Sequence, residues 1–211
     1  MRRWPGVALL LAIAALTIAE DCPCASSVAD SVGGEIGPWI APDRRTALDL
    51  DFPITHHDGT RAKLSDLRGR PAALTFFYSR CANARKCPAV VSAFAHLHTA
   101  VRDAGLGDEV RLALVTFDPA WDTPERLTTM ASERGLRPDD VLWLLIPDAA
   151  VRETIFPALG ASVSFNDDGV TMHAIQLLVF DRSGRLARMY RVALWQKDAV
   201  LTDLATLIAE P

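Results

Sequence analysis

Residues 72–88 read AALTFFYSRCANARKCP, and the change of pattern inside them decides the fold. Residues 72–78 form an unbroken apolar and aromatic run, which predicts a strand buried on both faces of a sheet. From Pro88 the period becomes helical. Proline fits the first helical position, where its missing N–H has no partner to lose, and Val90, Val91, Phe94, Leu97 and Val101 recur at three and four residues as one stripe. The loop between strand and helix carries Cys81 and Cys87. Cys87 stands at the helix N-terminus, where unpaired N–H groups and the helix dipole favour a thiolate, and Arg80, Arg85 and Lys86 add positive charge. At least one acidic thiol is expected here, at the kind of junction that carries function. A stabilising disulfide is the plainer alternative.

Working outward, residues 110–117 form another largely apolar run, so strand, helix and strand predict a right-handed parallel crossover. Asp118-Pro119-Ala120-Trp121-Asp122-Thr123-Pro124 leads into a second helix, with Asp122 or Thr123 as N-cap, Pro124 just inside and Gly135 at its end. Residues 141–146 are a third strand, and 148–159 a third helix interrupted at Pro157. A polar, turn-rich stretch, 160–172, then delivers His173 to the start of a strand at 174–180. Asp181-Arg182-Ser183-Gly184 turns that strand back into 186–192, and 197–209 is an amphipathic helix.

On the other side, 48–54 and 61–64 flank His56-His57-Asp58-Gly59, a hairpin with an Asp-Gly turn whose two histidines are expected in solvent. His96 and His98 are two residues apart on different helix faces and cannot chelate one metal together. They are read as packing or surface residues.

This order predicts an α/β, thioredoxin-like fold with an N-terminal hairpin and a central inserted segment. Two central strands of such a sheet lie side by side, so a residue entering the later strand faces the loop that leaves the earlier one. Cys81, Cys87 and His173 are therefore expected to converge. Two thiolates and one neutral imidazole make a soft, low-coordinate set that suits a copper ion, whereas zinc would want a fourth ligand.

The 211 residues, half of them hydrophobic, are enough for one sizeable core. Twenty-two basic against 26 acidic residues give a net charge of −4, with no strong basic patch for nucleic acid. Residues 1–19 carry Arg2 and Arg3 and then an apolar run ending in small residues, which reads as a signal peptide or a membrane anchor. Either places the domain outside the cytoplasm, in the periplasm or facing it. Residues 20–45, rich in Ser, Gly and Pro, read as a tether, with the domain spanning 46–211. The tether holds Cys22-Pro23-Cys24, a pair open to oxidation or to a soft metal, while Glu20 and Asp21 stand where a lipid-attachment signal needs small residues.

Leu64-Ser65-Asp66-Leu67-Arg68-Gly69-Arg70-Pro71, the FFYSRC strand end, Cys87-Pro88, the DPAWDTPE loop and the late His173 together resemble the SCO/SenC family over about residues 48–208. The resemblance implies a thioredoxin-like fold and copper held by Cys81, Cys87 and His173. It also implies a metallochaperone role in assembling the binuclear copper centre of cytochrome c oxidase, the copper-bearing subunit or another copper or thiol-disulfide protein being the partner. Two features depart from the family pattern. Five residues separate the cysteines where three are usual, and Met172 precedes the histidine where an acidic residue is common. Asp118 and Asp122 match the family's acidic loop and are candidates for orienting the imidazole. The competing reading is a metal-independent thiol-disulfide oxidoreductase with Cys81 and Cys87 as its redox-active pair, though Met172-His173 replaces the cis-proline expected of thioredoxins. A third reading, a sensing or purely structural module, needs no role for His173.

Overall fold

The computed structural model describes residues 35–166, 169–191 and 195–211. Among these, eight strands form one sheet: β1 (Glu35–Ile36), β2 (Pro53–His56), β3 (Arg61–Lys63), β4 (Ala72–Phe77), β5 (Arg111–Thr116), β6 (Leu142–Pro147), β9 (Leu177–Phe180) and β10 (Leu186–Arg191). Their order across the sheet is β1-β10-β9-β4-β5-β6-β2-β3. β7 (Val163–Asn166) and β8 (Gly169–His173) form a separate antiparallel pair. The helices are α1 (Cys87–Asp103), α2 (Pro124–Glu133), α3 (Arg152–Ala158) and α4 (Lys197–Ala209).

β4, β5 and β6 are parallel, as the apolar runs require, and β4 pairs on its other side with antiparallel β9. All six residues of β4 are buried, because alternate side chains serve two cores. Ala73 and Phe77 join Val90, Phe94 and Leu97 of α1, Leu127 of α2 and Leu204 of α4 on one face. Leu74 and Phe76 join Phe117 and the α3 residues Ile155 and Phe156 on the other. Each fully buried Leu or Phe contributes on the order of 1.5–3 kcal/mol, so the two layers fix β4 and the loop that leaves it.

The expected stripe of α1 is buried throughout, and Thr123 is the N-cap of α2. Three expectations need correction. Pro157 does not interrupt the third helix but lies in its last turn, one residue before its end at Ala158, where the missing N–H removes only one ladder bond. The polar stretch before His173 is not a simple turn. It folds as the β7–β8 hairpin, His173 ends β8, and the central strand begins only at Leu177. The tandem histidines are half-buried rather than fully in solvent: His56 packs edge-on against Trp143 at 5.0 Å, and His57 Nδ1 is buried without a partner.

The chain joins the sheet at Glu35–Ile36, upstream of Thr46. Among the described residues no helix is long and apolar enough to cross a membrane. Residues 1–19, expected to be a signal peptide or anchor, and Cys22 and Cys24 lie outside the described residues.

Candidate metal centre

Two elements deliver the sulfurs. β4 ends at Phe77, and a loop returns the chain to α1, whose first residue is Cys87. Within that loop the Lys86 N–H donates to the Asn83 carbonyl at 3.0 Å, and the Arg85 N–H donates to Asn83 Oδ1 at 3.0 Å. Asn83 thus folds the long spacer back on itself, as asparagine does in turns. Five intervening residues therefore do not push the cysteines apart.

The third group comes from β8. His173 Nε2 lies 3.5 Å from Cys87 Sγ, and ligand atoms of Cys81, Cys87 and His173 all fall within 4.8 Å of one another. All three residues are buried, Cys87 the most at 1% exposure against 8% for Cys81. Both thiols are free. The imidazole is held by Tyr78, edge-on at 5.5 Å, and by Phe117 at 5.3 Å. Its Nδ1 lies 3.3 Å from the Ala174 carbonyl. Placing the proton on Nδ1 leaves the Nε2 lone pair facing the sulfurs.

The two thiols divide one negative charge unequally. Cys81 is driven well below the ordinary thiol range, first because the Cys87 S–H donates to it, with the Cys87 backbone N–H assisting. Cys87 is driven up, by that same bond and by its burial. The acidic thiol is therefore Cys81, although Cys87 holds the helix N-terminus. Burial and the charge at the cysteines push the Tyr78 hydroxyl up to about 12, so it stays a neutral donor beside them.

The acidic loop has a different task from the one expected of it. Asp122 is fully buried and accepts from the Ser79 N–H at 3.2 Å and from the hydroxyls of Ser79 and Thr116. Burial pushes its carboxyl up, against the pull of those donors. Asp118 accepts from Arg80 Nη2 at 2.6 Å and Nε at 3.1 Å. Neither carboxylate reaches the imidazole. Both fasten residues 79 and 80, just before Cys81. Arg80 also stacks on Trp121 at 4.5 Å, and Arg126 covers the same ring at 3.8 Å. The histidines of α1 stay apart from the centre, His98 being joined to Asp139 at 3.1 Å.

Sequence reasoning missed Tyr78, Phe117 and the hairpin as parts of the site. Tyr78 was legible only as the end of an apolar strand, and nothing in a polar stretch signals that it will pair as a hairpin.

Residues 41–209 match the family model described as SCO1/SenC, which is most of the 211-residue chain. The chain belongs to the SCO1/SenC family. Its fold is similar to that of BsSco, a member of the Sco family of cytochrome c oxidase assembly proteins in which a disulfide switch was identified. That match has a TM-score of 0.68 and 17% identity, over 82% of this chain and 100% of the other. ScoI of Bradyrhizobium japonicum, with copper bound, matches with a TM-score of 0.62 and 21% identity over 77% and 99%. A SCO1/SenC family lipoprotein of Bacillus anthracis matches with 0.66 and 21% over 79% and 99%. Among curated proteins none matches. These likenesses confirm the thioredoxin-like fold of this SCO1/SenC member.

Proposed function

We propose that this chain binds one copper ion through Cys81 Sγ, Cys87 Sγ and His173 Nε2. We further propose that it works outside the cytoplasm in assembling the binuclear copper centre of cytochrome c oxidase. The observation that carries the reading is the meeting of two sulfurs and one imidazole nitrogen within 4.8 Å in a buried site. Copper is cargo here. A soft ion accepts two thiolates and a neutral imidazole, and three ligands leave a position through which a partner's donor can take the metal. Family membership and the copper-bound ScoI support the choice of ion. The lipoprotein relative and the leader at 1–19 support the location.

Anaerobic copper titration of the reduced full chain tests the site. One equivalent is expected to bind. Cys81→Ala or Cys87→Ala abolishes stoichiometric binding, and His173→Ala weakens it at least about tenfold. Tight binding that survives in the doubly substituted Cys81→Ala/Cys87→Ala chain overturns the assignment. A reporter active only in the cytoplasm, fused after Pro211, is expected to stay silent.

One observation favours a second reading. An acidic, more exposed Cys81 beside a buried Cys87 is the asymmetry of an attacking and a resolving thiol. Turnover of a model disulfide at equal rates with and without bound copper would move that reading ahead.

A further inference from the structure

Tyr78 meets all three residues of the metal centre. β4 ends one residue before it, and the Cys81 N–H donates back to its carbonyl at 3.3 Å, which closes a turn over residues 78–81. Residues 78 and 81 are therefore neighbours across that turn. The Tyr78 N–H donates to the Cys87 sulfur, its hydroxyl donates to the Cys81 sulfur, and its ring stands edge-on to the His173 imidazole at 5.5 Å, the planes 89° apart. Tyr78 is half-buried over a dithiol and an imidazole that are all buried.

Copper loading changes which of these donors survive. In the metal-free centre the Cys81 thiolate accepts first from the Cys87 S–H and then from backbone N–H groups. Copper takes the place of that S–H proton, which passes to solvent, so Cys87 stops donating once it is a ligand. The Tyr78 hydroxyl is not displaced in this way, because it supplies no atom to the metal. A hydrogen bond to a metal-bound thiolate draws electron density from the sulfur. Cu(II) leans on sulfur donation more heavily than Cu(I), so such a donor weakens the Cu(II) state more and raises the potential of the couple.

We propose that the Tyr78 hydroxyl, through its hydrogen bond to the copper-bound Cys81 sulfur, tilts this centre toward Cu(I) as its cargo. This rests on the reading of Cys81, Cys87 and His173 as the copper ligands. Ring and hydroxyl have separable tasks. The ring braces the imidazole and serves either valence alike, whereas the hydroxyl acts on one sulfur and tells the valences apart. Phe117 also braces the imidazole, at 5.3 Å, but carries no donor, so the two aromatic neighbours of His173 are not equivalent.

Tyr78→Phe in the full, reduced chain removes the hydroxyl and keeps the ring. Affinities are measured anaerobically by competition, against bicinchoninate for Cu(I) and glycine for Cu(II). One equivalent of either ion is expected to bind, with a Cu(I)-to-Cu(II) affinity ratio about tenfold lower than in the parent, equivalent to about 59 mV for one electron. The sulfur-to-Cu(II) absorption band is expected to move to longer wavelength. An unchanged ratio and band overturn the proposal and leave the three-ligand assignment standing. Equal weakening of both valences overturns it too, since that is the mark of lost packing. Tyr78→Leu removes ring and hydroxyl together and serves where Tyr78→Phe folds poorly. Both affinities are then expected to fall and the ratio to shift by the same tenfold, while a ratio equal to the parent's overturns the proposal. Failure of the parent chain itself to take up copper overturns the copper-binding reading, and this inference with it.

Discussion

Cys81 and Cys87 are the same residue type in one loop, yet position gives them opposite properties. Cys87 begins α1, packs in the core at 1% exposure and keeps its proton, while that S–H, directed at Cys81, stabilises a thiolate there. The helix-end argument from sequence expected at least one acidic thiol in the loop without saying which, and the proton shared between neighbouring thiols decides it, outweighing a dipole that acts on Cys87. A pH measurement follows from this. In the reduced, copper-free chain, alkylation of Cys81 by iodoacetamide is expected to vary little between about pH 5 and 8, since the thiolate is already formed across that window. Cys87→Ala removes the donor, so the Cys81 value rises toward the ordinary 9.0 and alkylation becomes steeply faster with rising pH. A flat profile in both chains would show that Cys87 is not the cause. The orientation of His173 was less legible than its place beside the cysteines. Its Nδ1 faces a backbone carbonyl, that of Ala174, and no pattern of side chains records such a partner.

The β7–β8 hairpin is the element that composition concealed. Val163 and Val170 alternate with Ser164, Asn166 and Thr171 over short strands that stand outside the main sheet, so the period of two is brief and reads as turn chemistry. The hairpin nonetheless sets the position of His173, and Gly169 shows how closely it is fitted. Its φ of +120° is one that side chains rarely adopt, and a Cβ built there falls 2.5 Å from Arg80 Nη2 and 3.5 Å from Asp118 Oδ2. Arg80 cannot simply retreat, because Asp118 holds it at 2.6 Å. Gly169→Val is therefore expected to displace β8 from the cysteine loop and weaken copper binding about tenfold. Far-ultraviolet circular dichroism should change little. Adding Arg80→Ala to Gly169→Val is expected to recover part of the affinity, as it clears the clash. Unchanged affinity in Gly169→Val would show that the hairpin does not position the imidazole.

At the scale of the whole molecule, α1 with its apolar stripe, the parallel strands and α4 were legible because each repeats one period over many residues. The manner in which the first described segment closes on the end of the chain was not, since Pro, Gly and Ser made it read as tether. Arg45 makes that closure. Its side chain is fully buried, and it donates to Glu210 at 2.5 and 2.7 Å, to Asp181 at 3.4 Å and, through Nε, to the Ile40 carbonyl at 2.9 Å. Phe180, just before Asp181, pairs with Ala72 at the N-terminal end of β4, so the clamp lies at the end of the sheet opposite the cysteines. Removing one partner of a buried ionic cluster strands the others, and Arg45→Ala is expected to destabilise by about 3 kcal/mol. For a chain of this size that lowers the melting temperature by about 6–12 °C. Arg45→Lys recovers only part of the loss, because an ammonium cannot serve both Glu210 oxygens as a planar fork does. Copper affinity should stay unchanged in either variant, given the distance to the centre. Calorimetry paired with copper titration separates the two effects, and a melting temperature within about 2 °C of the parent would show that Arg45 does not clamp the fold.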